Sequence, residues 1–463
     1  MSTAINNFDL VVIGSGPAGQ KAAIAAAKLG KRVAIVDRTE MMGGGCLHTG
    51  TIPSKTLREA ILYLTGFRQR GFYGRDYTLK ADIAFADLES RVEAVRERQL
   101  SVIKEQLTRN GVATIAGTAR FADTHTLEIE RTGDTERLTA EHILIACGTR
   151  AARAADIPFD GIVIRDSDQV ENTDRMPRDM IIVGAGVIGL EYASMLATLN
   201  IDITVIEQRP TVLDFIDDEI VEALCYHLRR RGVVFRLGEK VSSVQRDDRG
   251  IVQAHLDSGK RVHAQGLLYA VGRQANTDLL NLEAAGLKAD PRGRIAVNEH
   301  FQTEVPHIYA AGDVIGFPSL ASTSMEQGRR AACHMFQAST GEKSYPFPYG
   351  IYTIPEVSII GKTERQLTEA GIPFESGVAK YEDIAKGQMV ADDTGMLKIL
   401  FHPDTLKILG VHAMGESATE LIHIGQTVMA LDGTIEFFRD CVFNYPTFAE
   451  AYKVAALNGL NKL

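Results

Sequence analysis

Residues 8–37 read FDLVVIGSGPAGQKAAIAAAKLGKRVAIVD, and this stretch decides the fold of the chain. The apolar run Phe8–Ile13 predicts a buried parallel strand. The alanine-rich segment Lys21–Leu29 predicts a helix that ends at a capping Gly30. A second strand is predicted over Arg32–Val36, and Asp37 follows it directly. Strand, glycine-rich turn, helix, strand and carboxylate in this order are typical of a βαβ unit that binds a dinucleotide.

The same pattern occurs a second time, 170 residues later. Here Met180–Val183 and Ile201–Ile206 predict the two strands, and Glu191–Leu199 continues the helix between them. The glycines and the acid correspond pair by pair at this one offset: Gly14 and Gly184, Gly16 and Gly186, Gly19 and Gly189, Asp37 and Glu207. Four coincident offsets make chance a poor explanation, so the sequence predicts two dinucleotide sites.

Each element of the repeated pattern has a physical reason. The first glycine permits a tight turn, the second lets a pyrophosphate approach the backbone, and the third lets the helix pack closely on the strand. The helix N-terminus offers N–H groups and a partial positive charge to the phosphates. The carboxylate accepts hydrogen bonds from a ribose diol. Two dinucleotides in one chain suggest a flavin that relays hydride from a nicotinamide.

Composition and charge limit the classes of protein to which the chain can belong. Its 463 residues are enough for about three domains, and a formal net charge of −9 argues against a nucleic-acid or membrane-surface protein. The five cysteines form no CxxC pair, which favours free thiols in a reducing compartment. We expect a soluble, cytoplasmic protein, because no signal peptide is recognisable and no apolar run reaches the ~18 residues of a membrane span. No metal site is expected, because no histidine has a second ligand at metal spacing.

Further segments make the chain resemble the pyridine nucleotide–disulfide oxidoreductase family over nearly its full length. ILIACGTR at 143–150 and LLYAVGR at 267–273 are similar to two family turns, and IYAAGD at 308–313 resembles the segment whose aspartate binds the FAD ribityl chain. The resemblance implies FAD in the first glycine fingerprint and NAD(P) in the second. The residues implied for FAD are Gly14, Gly16, Gly19, Asp37, Cys46, Lys55, Gly148 and Asp313. Those implied for NAD(P) are Gly184, Gly186, Gly189, Glu207, Arg209 and Gly272.

The resemblance also implies an α/β fold, with two Rossmann-like dinucleotide-binding domains and a C-terminal α+β dimerisation domain. FAD would bind residues 1–150 together with 276–345, and NAD(P) would bind residues 151–275. Residues 346–463 would form the dimerisation domain of a homodimer, with assembly beyond the dimer left open.

Two departures from the family pattern bear on the chemistry. Disulfide reductases of the family carry two cysteines in the segment that here reads GGGCLHTGTIPSK at 43–55; Cys46 keeps the first position and Thr51 occupies the second. A threonine hydroxyl cannot form a disulfide. Near the C-terminus, Tyr445 replaces the family histidine ahead of Glu450, and a phenol is too weak a base near neutral pH. Both losses remove the same dithiol chemistry, so electrons are expected to stop at the flavin.

This combination resembles one group of the family, the Si-specific soluble pyridine nucleotide transhydrogenases, which also share segments similar to GIYTIPE at 350–356 and to residues 443–461. The resemblance implies hydride transfer between NADPH and NAD+ through FAD, in ping-pong order and without a redox disulfide. Two alternatives stay open. One is an NADH-dependent diaphorase or quinone reductase, and the other is a non-enzymatic, flavin-bound redox sensor.

Five side chains are the candidates for roles beside the flavin. The resemblance implies that Lys55 lies near flavin N5 and pairs with Glu191, where a cation would stabilise reduced flavin. Cys46 is expected to be a relic or a packing residue. Tyr445 is expected to be a packed, hydrogen-bonded phenol that shields the site from the partner subunit, while Glu450 bonds locally. The Tyr445–Pro446 bond is a candidate for the cis form.

Glu207 creates a conflict at the second site. NADP carries a phosphate where NAD has a ribose hydroxyl, and a fixed carboxylate ~4 Å away would oppose that phosphate by roughly 4 kcal/mol. That energy is about three decades of affinity. Arg209, two residues further on, is well placed to meet the phosphate if Glu207 swings aside. The alternative is a largely NAD-specific protein.

Overall fold

The structure is a computed structural model that describes residues 6–74, 76–131, 133–170, 176–341 and 345–463. The strands, in chain order, are β1 (Asn6–Ile13), β2 (Val33–Asp37), β3 (Ala113–Ala116), β4 (Thr118–Phe121), β5 (Thr126–Arg131), β6 (Asp134–Ile145), β7 (Thr149–Ala151), β8 (Ile164–Asp166), β9 (Asp179–Val183), β10 (Asp202–Glu207), β11 (Val234–Leu237), β12 (Val241–Arg246), β13 (Val252–Leu256), β14 (Arg261–Ala264), β15 (Gly266–Tyr269), β16 (Arg273–Ala275), β17 (Ile308–Ala310), β18 (Tyr349–Ile351), β19 (Glu356–Gly361), β20 (Glu375–Lys380), β21 (Met396–Phe401) and β22 (Ile408–Gly415).

The helices are α1 (Pro17–Lys28), α2 (Gly45–His48), α3 (Thr51–Leu64), α4 (Arg70–Tyr73), α5 (Phe85–Arg109), α6 (Val187–Thr198), α7 (Asp218–Arg230), α8 (Ala321–Met335), α9 (Glu364–Glu369), α10 (Ala385–Val390), α11 (Ala418–Ala430), α12 (Glu436–Asp440) and α13 (Glu450–Leu460). The chain divides into two compact units. The first contains the described residues of 1–57, 89–152 and 272–343, and the second those of 58–88, 153–271 and 344–463.

The first unit is built on a sheet whose strands follow the order β3-β2-β1-β6-β5-β4, with β17 also paired to β6. The pairs among β3, β2, β1, β6 and β17 are parallel, whereas β5 pairs antiparallel with β4 and β6. Because parallel strands end at one edge, the residues after β1, β2, β6 and β17 are brought together there. The two predicted strands of the first βαβ unit are confirmed.

The core of the first unit lies on both faces of this sheet. Leu10 and Val12 belong to the cluster that also contains the alanines of α1, while Val11 and Ile13 face a second cluster. Helix α1 begins at Pro17, four residues before the predicted start, because proline is pre-organised for the first helical position. Gly30 has φ +76° and its N–H bonds to Ala27, so it ends the helix as predicted.

The second unit contains the repeat. Its parallel sheet has the order β11-β10-β9-β15-β8, and helix α6 connects β9 to β10. Strands β12, β13 and β14 form a small antiparallel sheet. A third sheet, β18-β19-β22-β21-β20, is antiparallel and packs with α11 and α13 around a separate core. The predicted fold class, two Rossmann-like units followed by an α+β segment, is confirmed.

In the part of the chain that the structure describes, we find no helix of the length and apolar character that crossing a lipid bilayer requires.

Candidate functional site

The first glycine turn has the geometry that the fingerprint predicts. Gly14 has φ +104°, and a Cβ at this position would lie 2.3 Å from the Ala146 carbonyl oxygen. A Cβ on Gly19 would lie 2.0 Å from the Gly14 carbonyl oxygen, so α1 could not pack on β1 with any larger residue. On Gly16 the nearest atom to a Cβ would be 3.9 Å away. The protein itself does not require glycine there, which fits a backbone position that a pyrophosphate approaches.

The N-terminus of α1 is open to an anion. Gly16 is the N-cap residue, no side chain caps the helix, and its first turn has no acidic residue. The unsatisfied N–H groups and the positive end of the helix dipole are therefore available to a phosphate.

Asp37 closes the first site at the end of β2. Its Oδ2 accepts hydrogen bonds from the Ser15 N–H at 2.7 Å and from the Ser15 Oγ at 2.6 Å. Burial raises the pKa of Asp37, although these hydrogen bonds act in the opposite direction. The carboxylate is thus held against the glycine turn, where a ribose diol can reach it.

The second glycine turn repeats the first almost exactly in its constraints. Gly184 also has φ +104°, and its Cβ would lie 2.6 Å from the Ala270 carbonyl oxygen. A Cβ on Gly189 would again lie 2.0 Å from the carbonyl oxygen of the first glycine, and one on Gly186 would meet nothing within 4 Å. Helix α6 likewise has a glycine N-cap without a capping side chain. Both turns therefore fit a dinucleotide on the same physical grounds.

Glu207, at the end of β10, is hydrogen-bonded by a cationic side chain. Its Oε2 accepts the Ala185 N–H at 2.8 Å, and the Arg209 side chain donates to both carboxylate oxygens, Nε to Oε1 at 3.1 Å and Nη2 to Oε2 at 3.3 Å. Burial opposes ionisation, but the hydrogen bonds from Arg209 and Ala185 prevail and lower the pKa of Glu207. Arg209 also lies 3.6 Å from Asp214. The carboxylate that was predicted to repel a 2′-phosphate therefore has a neighbouring guanidinium that neutralises its charge.

Cys46 and Thr51 lie side by side at the start of α2 and α3. The Thr51 side chain acts to lower the pKa of the Cys46 thiol, but burial outweighs it and raises that pKa. The charges of Asp313 and Lys55 also act on Cys46, which places all four side chains in one region of the first unit. All five cysteines of the chain are free. The position where a second thiol would be needed holds a hydroxyl instead.

Asp313 is held by two residues that sequence reasoning did not single out. Arg273 Nε donates to Thr149 Oγ1 at 2.7 Å, and Thr149 Oγ1 donates to Asp313 Oδ2 at 3.3 Å. Burial raises the pKa of Asp313, and the Arg273 charge opposes that shift. Thr149 and Arg273 each follow directly after the glycine of a recognised turn, ILIACGTR and LLYAVGR, and that shared position was the signal that could have found them. The glycines of these turns, Gly148 and Gly272, have φ +63° and +87°.

Glu191 lies on α6 and is 4% exposed. Its Oε1 accepts the Tyr352 N–H at 2.8 Å, and Ser194, one turn further along, accepts the Ile354 N–H at 3.0 Å. These two bonds hold the segment GIYTIPE, residues 350–356, against the helix. Ser194 and Tyr352 were not predicted, because nothing in their spacing indicates that they meet.

The C-terminal candidates are arranged differently from expectation. The Tyr445 side chain is 71% exposed. The expectation of a packed phenol is therefore not met by the contacts of a single chain. The Tyr445–Pro446 bond is cis. Glu450 begins α13, and its buried Oε2 has no hydrogen-bond partner among the described residues, which contradicts the expected local bond for that atom.

The two units hold different sets of candidates. The first holds Gly272 together with every residue implied for FAD, and the second holds the other residues implied for NAD(P), with Glu191, Tyr445 and Glu450. Among the residues that the structure describes, no three His, Cys, Asp or Glu side chains are grouped so that they could hold a metal ion.

Two family models match most of the chain. Residues 8–328 match pyridine nucleotide-disulphide oxidoreductase, and residues 347–456 match the dimerisation domain of the same family. The chain belongs to this family. Membership implies that it binds a flavin and a nicotinamide nucleotide, and that its C-terminal part is a dimerisation domain.

Curated members of the family are similar over their full length. A protein of Mycobacterium tuberculosis (strain ATCC 25177 / H37Ra), named soluble pyridine nucleotide transhydrogenase, is 53% identical over 99% of this chain and 98% of its own. Proteins of the same name from Chromohalobacter salexigens and Azotobacter vinelandii are 46% identical, over 99% of this chain and 100% of theirs.

Solved structures of the family are similar in fold at lower identity. The HOCl-induced flavoprotein disulfide reductase RclA from Escherichia coli, as a Cu(II) complex, has a TM-score of 0.88 at 26% identity, covering 98% of this chain and 99% of that one. LpdA from Mycobacterium tuberculosis has a TM-score of 0.89 at 25% identity, with the same coverage.

Proposed function

We propose that the protein is a soluble pyridine nucleotide transhydrogenase, which moves hydride between NADPH and NAD+ by way of FAD and without a redox disulfide. The observation that carries the proposal is Thr51, which places a hydroxyl beside Cys46 where a disulfide reductase of the family has its second thiol. The relatives at 46–53% identity that bear this name support it.

The first unit is proposed to hold FAD, within a domain of residues 1–150 and 276–345. Gly14, Gly16 and Gly19 form the turn for the pyrophosphate, and the open N-terminus of α1 supplies its positive potential. Asp37 takes the ribose, while Gly148 and Asp313 contact the rest of the cofactor with Cys46 and Lys55. When bound, FAD supplies the group that accepts and returns hydride.

Residues 151–275, with Gly272, are proposed to bind the nicotinamide nucleotides in turn. Gly184, Gly186 and Gly189 leave the pyrophosphate position open, as in the first turn. Glu207 accepts hydrogen bonds from the ribose diol of NAD(H). Arg209 binds the 2′-phosphate of NADP(H). Its guanidinium neutralises Glu207 through Nε and Nη2, and further N–H groups along the edge of the same plane can donate to a second anion. This pair would let one site accept both substrates.

Lys55 is proposed to pair with Glu191 and to place a positive charge beside the flavin ring. Glu191 is a positioning residue in the same proposal, since its carboxylate is already fixed by the Tyr352 N–H. No protein base is needed for hydride transfer, which agrees with an exposed Tyr445 in place of a histidine.

Residues 346–463 are proposed to form a homodimer in which Tyr445 and Glu450 meet the partner subunit. An exposed phenol and a buried, unpartnered carboxylate oxygen are both features that a second chain would cover or satisfy. The cytoplasm is the proposed location, because the free cysteines suit a reducing compartment.

Steady-state rates of the flavin-loaded protein test the function. NADPH is varied against 3-acetylpyridine adenine dinucleotide, an NAD+ analogue whose reduced form has a distinct absorbance. Parallel double-reciprocal lines are expected, because the first product leaves before the second substrate binds. Intersecting lines, brisk turnover of lipoamide or glutathione disulfide, or quinone turnover with negligible transfer to the analogue would contradict the proposal.

A further inference from the structure

The end of helix α7 carries two basic residues with buried nitrogen atoms that lack hydrogen-bond partners among the described residues. His227 lies in the last turn of α7, and Arg231 follows the helix directly. In the described ranges of the chain, the buried atoms Arg231 Nη1 and His227 Nε2 have no hydrogen-bond partner. Buried polar groups in native proteins are nearly always hydrogen-bonded, so two orphaned atoms one turn apart need an explanation.

Arg231 is held in place by an aromatic ring. Its guanidinium carbon lies 3.9 Å from the centroid of the Phe67 ring, within the range of a cation–π contact. Stacking fixes the guanidinium plane but uses none of its N–H groups, which point outward from the edge of that plane. The side chain is therefore oriented and still able to donate.

Arg70 supplies a second guanidinium, three residues after Phe67. Its Nε donates to the Tyr77 carbonyl oxygen at 3.2 Å, which anchors the group. Burial, and then the charge of Arg70, lower the pKa of Arg231 to about 10, so the two cations are close enough to repel each other.

The local charge around the helix end is positive. Burial, followed by the charges of Arg231 and Arg230, lowers the pKa of His227 to about 4. The carboxylates that act on the group are Asp76 and Asp393, and both are exposed to solvent. This excess of cations lies in a chain whose formal net charge is −9. A bound anion would relieve the repulsion and satisfy the orphaned donors.

We propose that Arg231, Arg70 and His227 form a binding site for a phosphate-class oxyanion, either inorganic phosphate or the phosphate of a monoester. Two guanidinium groups offer several N–H donors in fixed planes, which match the oxygens of a phosphate. The neutral imidazole adds one donor from Nε2. None of the three residues belongs to either glycine fingerprint.

The test uses the full-length, flavin-loaded protein in phosphate-free buffer at constant ionic strength. Inorganic phosphate is titrated while the heat of binding and the thermal midpoint are recorded. The variants are Arg231→Gln and Arg70→Gln. The matched control is Arg229→Gln, an exposed arginine of the same helix end that stacks on Phe235 at 5.2 Å.

Saturable binding to the unaltered protein is expected, with at least about a tenfold weaker Kd in Arg231→Gln and Arg70→Gln and no change in Arg229→Gln. Without phosphate, Arg231→Gln is expected to be no less stable than the parent, because it removes a buried charge that lacks an acceptor. Tighter binding of glycerol 3-phosphate than of inorganic phosphate would identify a monoester as the ligand. Unchanged affinity in both variants, loss of binding in Gly186→Ala instead, or equal binding of acetate would overturn the proposal.

Discussion

The Arg209 side chain donates two hydrogen bonds to Glu207, from Nε to Oε1 at 3.1 Å and from Nη2 to Oε2 at 3.3 Å, and the Arg209 N–H donates a third to Oε1 at 3.0 Å. The corresponding acid of the first site, Asp37, is bonded by Ser15 and by the Arg38 N–H. Two copies of one βαβ design therefore end in different electrostatic surroundings. The second copy carries a guanidinium bonded to the acid that we propose binds the ribose, and a cation at this place would attract a 2′-phosphate.

Replacing Arg209 with Gln is expected to raise the KM for NADPH about tenfold to a hundredfold, with a much smaller effect on NADH. A hydrogen bond to a charged group contributes about 1.5–3 kcal/mol, which corresponds to that range of affinity. Steady-state kinetics with each nucleotide measures the effect. Arg249→Gln, which changes an exposed arginine in the turn between β12 and β13, is the control and should alter neither KM. An equal rise of the KM for NADPH and for NADH would show that Arg209 does not bind the 2′-phosphate.

Thr51→Cys is expected to create a disulfide with Cys46, because the Thr51 side chain is near enough to Cys46 to act on the pKa of its thiol. The parent has five free cysteines, and the variant would have one cysteine more. Two of the variant's thiols would be joined in a disulfide and would not react with a thiol reagent until they are reduced. Titration of thiols in the denatured protein, before and after reduction, measures this. The double variant Cys46→Ser/Thr51→Cys lacks the partner and should show no hidden pair. A fully titratable Thr51→Cys variant would mean that the two side chains cannot reach disulfide geometry.

The third and second glycines of the nicotinamide fingerprint should respond differently to alanine. Gly189→Ala places a Cβ 2.0 Å from a backbone carbonyl oxygen and should cost about 1–3 kcal/mol of stability. Gly186→Ala meets nothing within 4 Å, so its thermal midpoint should stay near that of the parent while the KM rises for NADH and NADPH alike. Thermal unfolding and steady-state kinetics of both variants separate the two effects. Full nicotinamide affinity in Gly186→Ala would argue against a pyrophosphate at this glycine.

His412 should make the stability of the second unit fall in mild acid. It is fully buried, its Nε2 bonds to the Lys362 carbonyl oxygen at 3.0 Å, and its Nδ1 has no partner in the described residues. Burial lowers the pKa of His412 to about 4, although the Asp217 charge opposes the shift. The unfolded chain takes up a proton near pH 6.5 and the folded chain only near pH 4.

Stability is therefore complete above pH 6.5 and is lost as the pH falls toward 4, by roughly 3 kcal/mol in total. Denaturant midpoints of the parent and of His412→Gln, measured from pH 7 to pH 4, test this. The glutamine can still donate to Lys362 but cannot take up a proton, so its midpoint should fall less. Identical pH profiles for the two proteins would show that His412 is not the titrating group.

The sequence by itself determined both βαβ units, their glycine turns and the loss of the second thiol. These features can be recognised from short stretches of sequence: the alternation of a strand, the glycine of a turn and the threonine at position 51. The 170-residue offset between the two patterns added independent support for both units. In the structure, the first glycine of each turn has the same φ of +104°.

Only the tertiary structure decided which distant side chains meet. Arg273 reaches Thr149 across 124 residues and Glu191 reaches Tyr352 across 161, because sheet pairing and helix packing place them together. The orphaned Nη1 of Arg231 likewise belongs to a side chain that stacks on Phe67, from another part of the chain. Spacing along a chain carries no record of such contacts, since burial and long-range pairing arise only when the sheets and helices have packed.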